Sequence, residues 1–512
     1  MTYALSQDDG SGGQIPAYAY FYLNNYDKVV IRGKKNIEGE ILTSLIGYNP
    51  SLSQKLAPSI LWIENVNNLY LENIKFKYDP SPVFKGKYLS DTENGLNAII
   101  SPLVLNKNID KNIPYCMNQF ISGSLISKSL TNGFGLSNKM VRQDGNYYYY
   151  NKSELRDSIK NDAILTWHQS GLTNFTIYIS ECKNVFLKNC WISNSISYAI
   201  LTENCENIYA DRLFIKPESE NLFVGPRDGW KIFRCYGNIN ISNTEINGVR
   251  MDAQNIHGTI MVLRDIIDEY SIEVSYKGKL GNFNEQDSFK TIFRYKDESE
   301  ILRLSCWKYL YRIAETKEEN PNIGSTMYVP GRKPNFENRI IIRFSETHNF
   351  KKEDIGSAGI VPDKWQHKKY KISNSLFKNI AGAGLLLRSG NIDVHKCKFE
   401  NCMNSGVLIG SEWNVHYEAG NPQNINIVEC EFTNCGFDYR YQNIGKGCIS
   451  LSGQGFTENV IKNIKIENCN FKNSDTAIEI NNSINVFEKN NKFENIKHEI
   501  KKELKEWFEW KE

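Results

Sequence analysis

Apolar and polar residues alternate along this chain in short runs, and one nine-residue phrase recurs. It has an asparagine, alternating apolar residues, a small, asparagine or cysteine position, and a closing phenylalanine or isoleucine. It reads NLYLENIKF at 68–76, NVFLKNCWI at 184–192, NIYADRLFI at 207–215 and NINISNTEI at 238–246. It returns as KYKISNSLF at 369–377, NIDVHKCKF at 391–399, NINIVECEF at 424–432, NIKIENCNF at 463–471 and NVFEKNNKF at 485–493. The period of two predicts that each copy is a short strand with one buried face. The tightest spacings are 22 or 23 residues: 184 to 207, 369 to 391 and 463 to 485. So short a unit cannot bury its own apolar face and must stack on copies of itself. The predicted fold is therefore all-β, a right-handed parallel β-helix.

The repeat is interrupted twice. Residues 1–83 read as the N-terminal rungs, closing on the turn-rich Tyr78-Asp79-Pro80-Ser81-Pro82. A first inserted β module is expected over 84–165, where the repeat gives way to irregular segments and a tyrosine run at 147–150. The β-helix resumes over 166–259. Alternating runs at 271–276 and 339–344, separated by charged turns, predict a second inserted antiparallel β module over 260–350. The solenoid then occupies 351–494. From 495 to 512 the period changes: Ile496, Ile500, Leu504 and Trp507 or Phe508 share one helical face, which predicts a C-terminal helix capping the open end. A second strand per rung is expected at 198–201, 221–224, 384–388, 406–410, 448–451 and 477–480. The segments after these strands vary most in length, and long insertions at one point of stacked rungs wall a cleft.

Composition narrows the partners. Lys and Arg number 61 against 59 Asp and Glu, a formal charge of +2, which gives no electrostatic basis for binding nucleic acid or an acidic membrane. There is no run of about 18 apolar residues of the kind that spans a bilayer. The opening Met-Thr-Tyr-Ala-Leu-Ser-Gln-Asp-Asp shows neither the basic nor the apolar region of a signal peptide. Seven of the twelve cysteines (Cys182, Cys190, Cys205, Cys235, Cys397, Cys430 and Cys469) lie in or beside the repeat, where stacked, reduced thiols act as small hydrophobes. The sequence leaves a homodimer open.

Candidate chemistry concentrates in three segments: 226–230, 251–259 and 411–420. They offer the carboxylates Asp228, Asp252, Glu412 and Glu418, the histidines His257 and His416, and the rings of Trp230, Trp413 and Tyr417. Carboxylates beside aromatic rings suit sugar chemistry. One carboxyl protonates the departing oxygen, a second activates water or attacks, and a ring stacks on the pyranose. Each residue also has a plain structural role open to it. Asp228 can cap a turn, His257 can be a packed histidine, and Trp413 and Tyr417 can roof their own loop. No metal-ligand pattern is present: neither an EF-hand-like loop, nor an HExxH helix, nor an aspartate cluster on one strand.

The segment Gly248-Val249-Arg250-Met251-Asp252-Ala253-Gln254-Asn255-Ile256-His257-Gly258-Thr259 resembles the Asp-Asp-x-x-Asn-x-His-Gly-Thr signature of glycoside hydrolase family 110. The stretch 228–237 is similar to the family sequence preceding that signature, and 408–420 is similar to a later one, placing Glu418 on a family glutamate. Residues 63–87 look like the family's first rung and the start of its first inserted module. The resemblance implies a parallel β-helix acting as an inverting exo-α-galactosidase on terminal α-1,3-linked galactose, with a glycan substrate and no cofactor. It also implies a secreted or periplasmic location. It puts Asp252, Glu418 and Asp228 in catalysis. Substrate binding falls to His257, Asn255, Arg227, Glu412, Trp413, Tyr417 and Arg388. The chain departs from the family at Met251, which stands where the family carries the first of two aspartates. That departure leaves open a sugar-binding relative without activity. A polygalacturonase-like hydrolase or a lyase, on a long basic groove, is the remaining alternative.

Overall fold

The computed structural model describes residues 3–8, 14–48, 58–103, 111–112, 114–127, 140–143, 147–152, 158–169, 175–218, 222–277, 283–296, 299–314, 336–413, 417–437, 446–456 and 459–502. The repeats stack in parallel register as a β-helix. Val185 pairs with Leu69 and Ile208, and Ile425 pairs with Ile392 and Ile464. The nonamer is more than one flat strand. In all nine copies the sixth residue has a left-handed backbone: Asn73, Asn189, Arg212, Asn243, Asn374, Lys396, Glu429, Asn468 and Asn490, with φ between 50° and 57°. Each copy is thus two short strands meeting at a corner, so positions two, four, seven and nine all point inward. Val185, Leu187, Cys190 and Ile192 are buried while Lys188 is exposed. Asparagine suits the corner because its short polar side chain tolerates the left-handed region.

The columns created by stacking explain the phrase position by position. Closing phenylalanines form a continuous stack, Phe377–Phe399–Phe432–Phe471–Phe493, with centroids 4.8–5.4 Å apart and nearly parallel rings. Opening asparagines form amide ladders. Asn424 donates to Asn391 at 3.1 Å, Asn463 to Asn424 at 3.1 Å and Asn485 to Asn463 at 3.0 Å. The position-seven thiols Cys397, Cys430 and Cys469 lie inside the core, and burial pushes the Cys190 thiol up to about 12. All described cysteines are free, and all but Cys306 are buried.

Each rung also has a third strand. Tyr198–Glu203, Leu385–Leu387, Val407–Ile409 and Gly447–Leu451 fall where a further strand was expected. Over its described part, 222–224, the strand expected at 221–224 is not formed. That rung instead uses Trp230–Phe233, which pairs on one side with 200–203 and on the other with Gln254–Thr259. The C-terminal helix is corrected over its described part: Lys492–Lys502 is a strand parallel to Asn470–Ile480, with Ile496 opposite Ser474 and Ile500 opposite Ile478. A spacing of four places residues on one face of a strand as well as of a helix, and the exposed edge of the preceding rung decided between them. Leu504, Trp507 and Phe508 lie outside the described residues.

Two further sheets leave the solenoid. Strands between Val83 and Gln169 form an eight-stranded antiparallel sheet, with Val83–Asp91 and Ile164–Gln169 at its centre. Strands between Met261 and Pro362 close into a six-stranded barrel around Leu263, Val274, Phe289, Ile340 and Ile360.

The columns carry a testable cost. Phe432→Ala in mid-stack should destabilise by about 3–5 kcal/mol. Asn424→Ala, which places a Cβ-bearing residue without a ladder amide at φ 55°, should lose about 2 kcal/mol, and Asn424→Gly about half of that. Urea unfolding of the three variants checks the order Phe432→Ala, Asn424→Ala, Asn424→Gly.

Candidate active site

On the third strands, residues alternate between the solenoid core and the outer face. Trp230, Ile232, Ile256, Leu385 and Leu387 point into the core. The intervening positions form two outward columns. One runs Tyr178–Leu201–Lys231–Asn255–Leu386–Leu408, and the other Glu203–Phe233–His257. Arg388 continues the second column, its N–H donating to the Ile256 carbonyl at 3.0 Å. The outward face is therefore polar in the middle, at Lys231, Asn255, His257 and Arg388. All four are buried.

Two aspartates join them from the turns that lead into adjacent strands. Asp228 and Asp252 lie two residues before the paired Trp230 and Gln254, so they stack in neighbouring rungs. Gly229 N–H donates to the Asp252 carbonyl at 2.9 Å, which fixes that register. Asp252 Oδ1 accepts the Ala383 N–H at 2.8 Å. Gly382 gives this carboxylate its space, since a Cβ there would lie 2.7 Å from Oδ1.

The third carboxylate comes from the far end of the chain. The short strand Glu418–Ala419 runs antiparallel to Gly258–Thr259, and the Ile260 N–H donates to the Tyr417 carbonyl at 2.8 Å. Residues 417–420 thus fold back over the outward face and deliver Glu418. Its Oε2 lies 2.7 Å from Arg388 Nε, and its Oε1 lies 3.3 Å from His257 Nε2 and 4.0 Å from Lys231 Nζ. Arg388 is itself oriented by donating from Nη1 to the Gly410 carbonyl at 2.9 Å.

Burial sets the protonation of this cluster. It pushes Asp252 up to about 7, helped by the neighbouring charge of Asp228 and opposed by the Ala383 N–H and Arg388. Burial also raises Asp228, against the pull of Lys231 and Arg227. Burial alone would discharge Lys231, but Tyr198, Glu418 and Asp228 outweigh it and its pKa is raised. His257 is pushed down to about 3, chiefly by burial. It is therefore a neutral imidazole, and its Nδ1, 2.7 Å from the Gly258 carbonyl, carries the proton. Nε2 then presents a lone pair towards Glu418 Oε1 at 3.3 Å, while Glu418 is held by Arg388 and Lys231. Asn255 donates from Nδ2 to Asp228 at 3.4 Å and leaves a buried Oδ1 without a partner. Among the described residues, no group of three or more His, Cys, Asp or Glu is arranged to hold a metal.

Of the residues singled out in the sequence, Asp228, Asp252, Asn255, His257, Arg388 and Glu418 are thus brought together. Arg227 lies beside them, donating to the Tyr198 hydroxyl at 2.6 Å and lying 5.0 Å from its ring centroid. Glu412 is buried and its N–H bonds the Glu418 carbonyl at 2.7 Å. Trp413 and Tyr417 pack with Ile260, Val361, Trp365 and Phe456, and Trp413 meets Tyr417 and Phe456 edge-on. Met251 is half-buried in the turn before Asp252. His416 lies outside the described residues. Sequence reasoning missed Lys231, whose signal was a charged residue at an outward position of the apolar run Trp230-Lys231-Ile232-Phe233.

No protein-family model matches the chain. Curated relatives are found at low identity. One is the α-1,3-galactosidase B of Phocaeicola vulgatus, 24% identical over 50% of this chain and 41% of that protein. Another is the α-1,3-galactosidase A of Akkermansia muciniphila, 23% identical over 50% of this chain and 39% of that protein. A third is the α-1,3-galactosidase A of Bacteroides thetaiotaomicron, 21% identical over 64% of this chain and 51% of that protein. The chain is distantly similar to α-1,3-galactosidases. It spans about half the length, or less, of the relatives it matches.

The cluster makes stability pH-dependent with a definite sign. The Asp252 carboxyl rises from 3.8 to about 7, so between those values the folded chain holds a proton that the unfolded chain releases. Its contribution is full below about pH 4 and is lost as pH rises through about 7. Asp252→Asn, which cannot ionise, should gain stability relative to the natural chain over that window. Denaturant midpoints measured from pH 4 to 8 check this, and a pH-independent difference would contradict a protonated Asp252.

Proposed function

We propose that this chain is an exo-acting glycoside hydrolase that releases terminal α-1,3-linked galactose from glycans. The observation that carries the reading is the convergence of Asp228, Asp252 and Glu418 on one enclosed face, in a chain distantly similar to α-1,3-galactosidases. Asp252 is the general acid. Burial and Asp228 keep its proton near neutral pH, and it passes that proton to the departing glycosidic oxygen. Glu418 is the base, oriented by Arg388 and close to the Nε2 lone pair of His257 and the Lys231 ammonium. With water activated by Glu418 the reaction inverts at the anomeric carbon. Asp228 and the open Oδ1 of Asn255 accept sugar hydroxyls. Arg227 borders the same space. Trp413, Tyr417 and Glu412 act through the loop they hold, since Trp413 is 3% exposed and edge-on to its neighbours. Asp228, stacked on Asp252, supplies a second aspartate beside the turn where Met251 stands.

The test is galactose release from an α-1,3-linked galactobiose by the natural chain, Asp252→Asn and Glu418→Gln. Release is expected from the natural chain, reduced on the order of 10²–10⁴-fold in either variant. Its rate should fall as pH rises through about 7, where Asp252 loses its proton. The first sugar observed by NMR should be β-galactose. Release unaffected by both substitutions overturns the assignment. Galactose binding without release from any galactoside would make the chain a carbohydrate-binding protein, the reading that Met251 favours.

A further inference from the structure

The first inserted sheet reaches the turn that carries Asp252 through one side chain. Arg250 stands two residues before Asp252 and is buried. Its guanidinium donates from Nε to His168 Nδ1 at 2.7 Å, from Nη2 to Thr166 Oγ1 at 2.8 Å and from Nη1 to Asn118 Oδ1. It also lies 4.1 Å from the Phe223 ring centroid. The three acceptors share one face of the inserted sheet: Thr166 and His168 are two apart on one strand, and Asn118 is paired with Thr166 on the next. The other face of that sheet holds its own apolar core, with Met117, Leu165 and Trp167. The polar face is thus fitted to a guanidinium and to the β-helix behind it. Accepting at Nδ1 requires a neutral His168, and burial together with Arg250 holds its pKa well below the ordinary value.

The far end of the clamp is equally defined. Gly248 has φ 72°, and a Cβ there would lie 2.3 Å from the Leu222 carbonyl, so the backbone can turn up towards the sheet only at a glycine. The Arg250 N–H reaches the Gly225 carbonyl at 3.3 Å, and the Ala381 N–H donates to the Val249 carbonyl at 2.9 Å. A second contact docks the same sheet nearby, where the Leu125 N–H donates to Asn379 Oδ1 at 3.3 Å. Phe120, Leu125, Phe223, Ala381 and Met403 form the apolar seal around it.

We propose that Arg250 is a positioning residue, clamped by His168, Thr166 and Asn118 of the first inserted sheet, that holds the turn bearing Asp252 in its working geometry. The inserted sheet is on this view part of the catalytic apparatus. The inference rests on Asp252 being the acid proposed above. A planar guanidinium sets direction at three acceptors at once, which an ammonium cannot do.

The experiment compares Arg250→Lys, His168→Asn and His168→Leu in the full chain by hydrogen exchange and by kinetics on the galactobiose. Arg250→Lys should speed amide exchange over 248–254 while leaving the distant rungs at 461–489 unchanged. It should lower kcat on the order of 10²-fold with little change in KM, since misplacing a reacting group by about 1 Å has that effect. His168→Asn keeps an acceptor where Nδ1 stood and should lose less than His168→Leu in both readouts. Unchanged local exchange and unchanged kcat in Arg250→Lys would overturn the proposal. Exchange accelerated equally in every rung would overturn it too, because Arg250 would then serve general stability. If the natural chain releases no galactose, the proposed function fails on its own, and the exchange pattern alone decides whether the clamp exists.

Discussion

The left-handed residue at the sixth position of every nonamer is the constraint on which the rest of this molecule depends. A straight strand would carry one buried face and stop. A corner at position six instead turns the chain by a fixed amount and brings positions seven and nine back to the same core. Repeated from rung to rung, that corner forces columns of like side chains: asparagine on asparagine, phenylalanine on phenylalanine, thiol on thiol. Parallel pairing then fixes the register of every outward side chain as well. Asp228 stacks on Asp252, and Lys231 on Asn255, because the corners below leave the strands no other alignment.

Outward side chains of a solenoid ordinarily face water, and water would screen the charges of these residues. Here Glu418–Ala419 folds back and pairs with Gly258–Thr259, and Val361 of the barrel and Trp365 just beyond it pack against Trp413 and Tyr417. Enclosure converts a row of ordinary polar side chains into a set with altered protonation. Asp252 is held protonated to about 7, His257 is kept neutral, and Lys231 keeps its charge only through its anionic and tyrosyl neighbours. The two interruptions of the repeat thus meet the same cluster from two sides. A single residue, Ile260, separates the strand that carries His257 from the barrel, and the first inserted sheet grips the turn that carries Asp252.

Much of this was legible in the chain itself, for physical reasons. The nonamer is periodic and long enough to announce stacking, and the breaks in it announced where extra structure leaves the solenoid. Asp252, His257 and Glu418 stood out because their segments gather carboxylates, histidines and aromatic rings at breaks in the repeat, and because they fall on the motifs of the family resemblance. The corner within the nonamer was not legible, because the alternation at positions two and four resumes at seven and nine and looks like noise in a straight strand. Lys231 was hidden for a related reason. Its run was not recognised as the third strand of its rung, so no outward face was assigned to it. The C-terminal strand was mistaken for a helix because Ile496 and Ile500 satisfy both periods, and only the open edge of the preceding rung distinguishes them.

On the proposed function, the enclosed outward face between the Asp228–Asp252 column and the folded-back Glu418 holds a terminal galactose for cleavage. The most direct measurement is a crystal structure of Asp252→Asn with an α-1,3-linked galactobiose. The terminal galactose is expected on that face, with its glycosidic oxygen at residue 252 and Glu418 on the opposite side of the anomeric carbon. Galactobiose bound elsewhere, with this face empty, would contradict it.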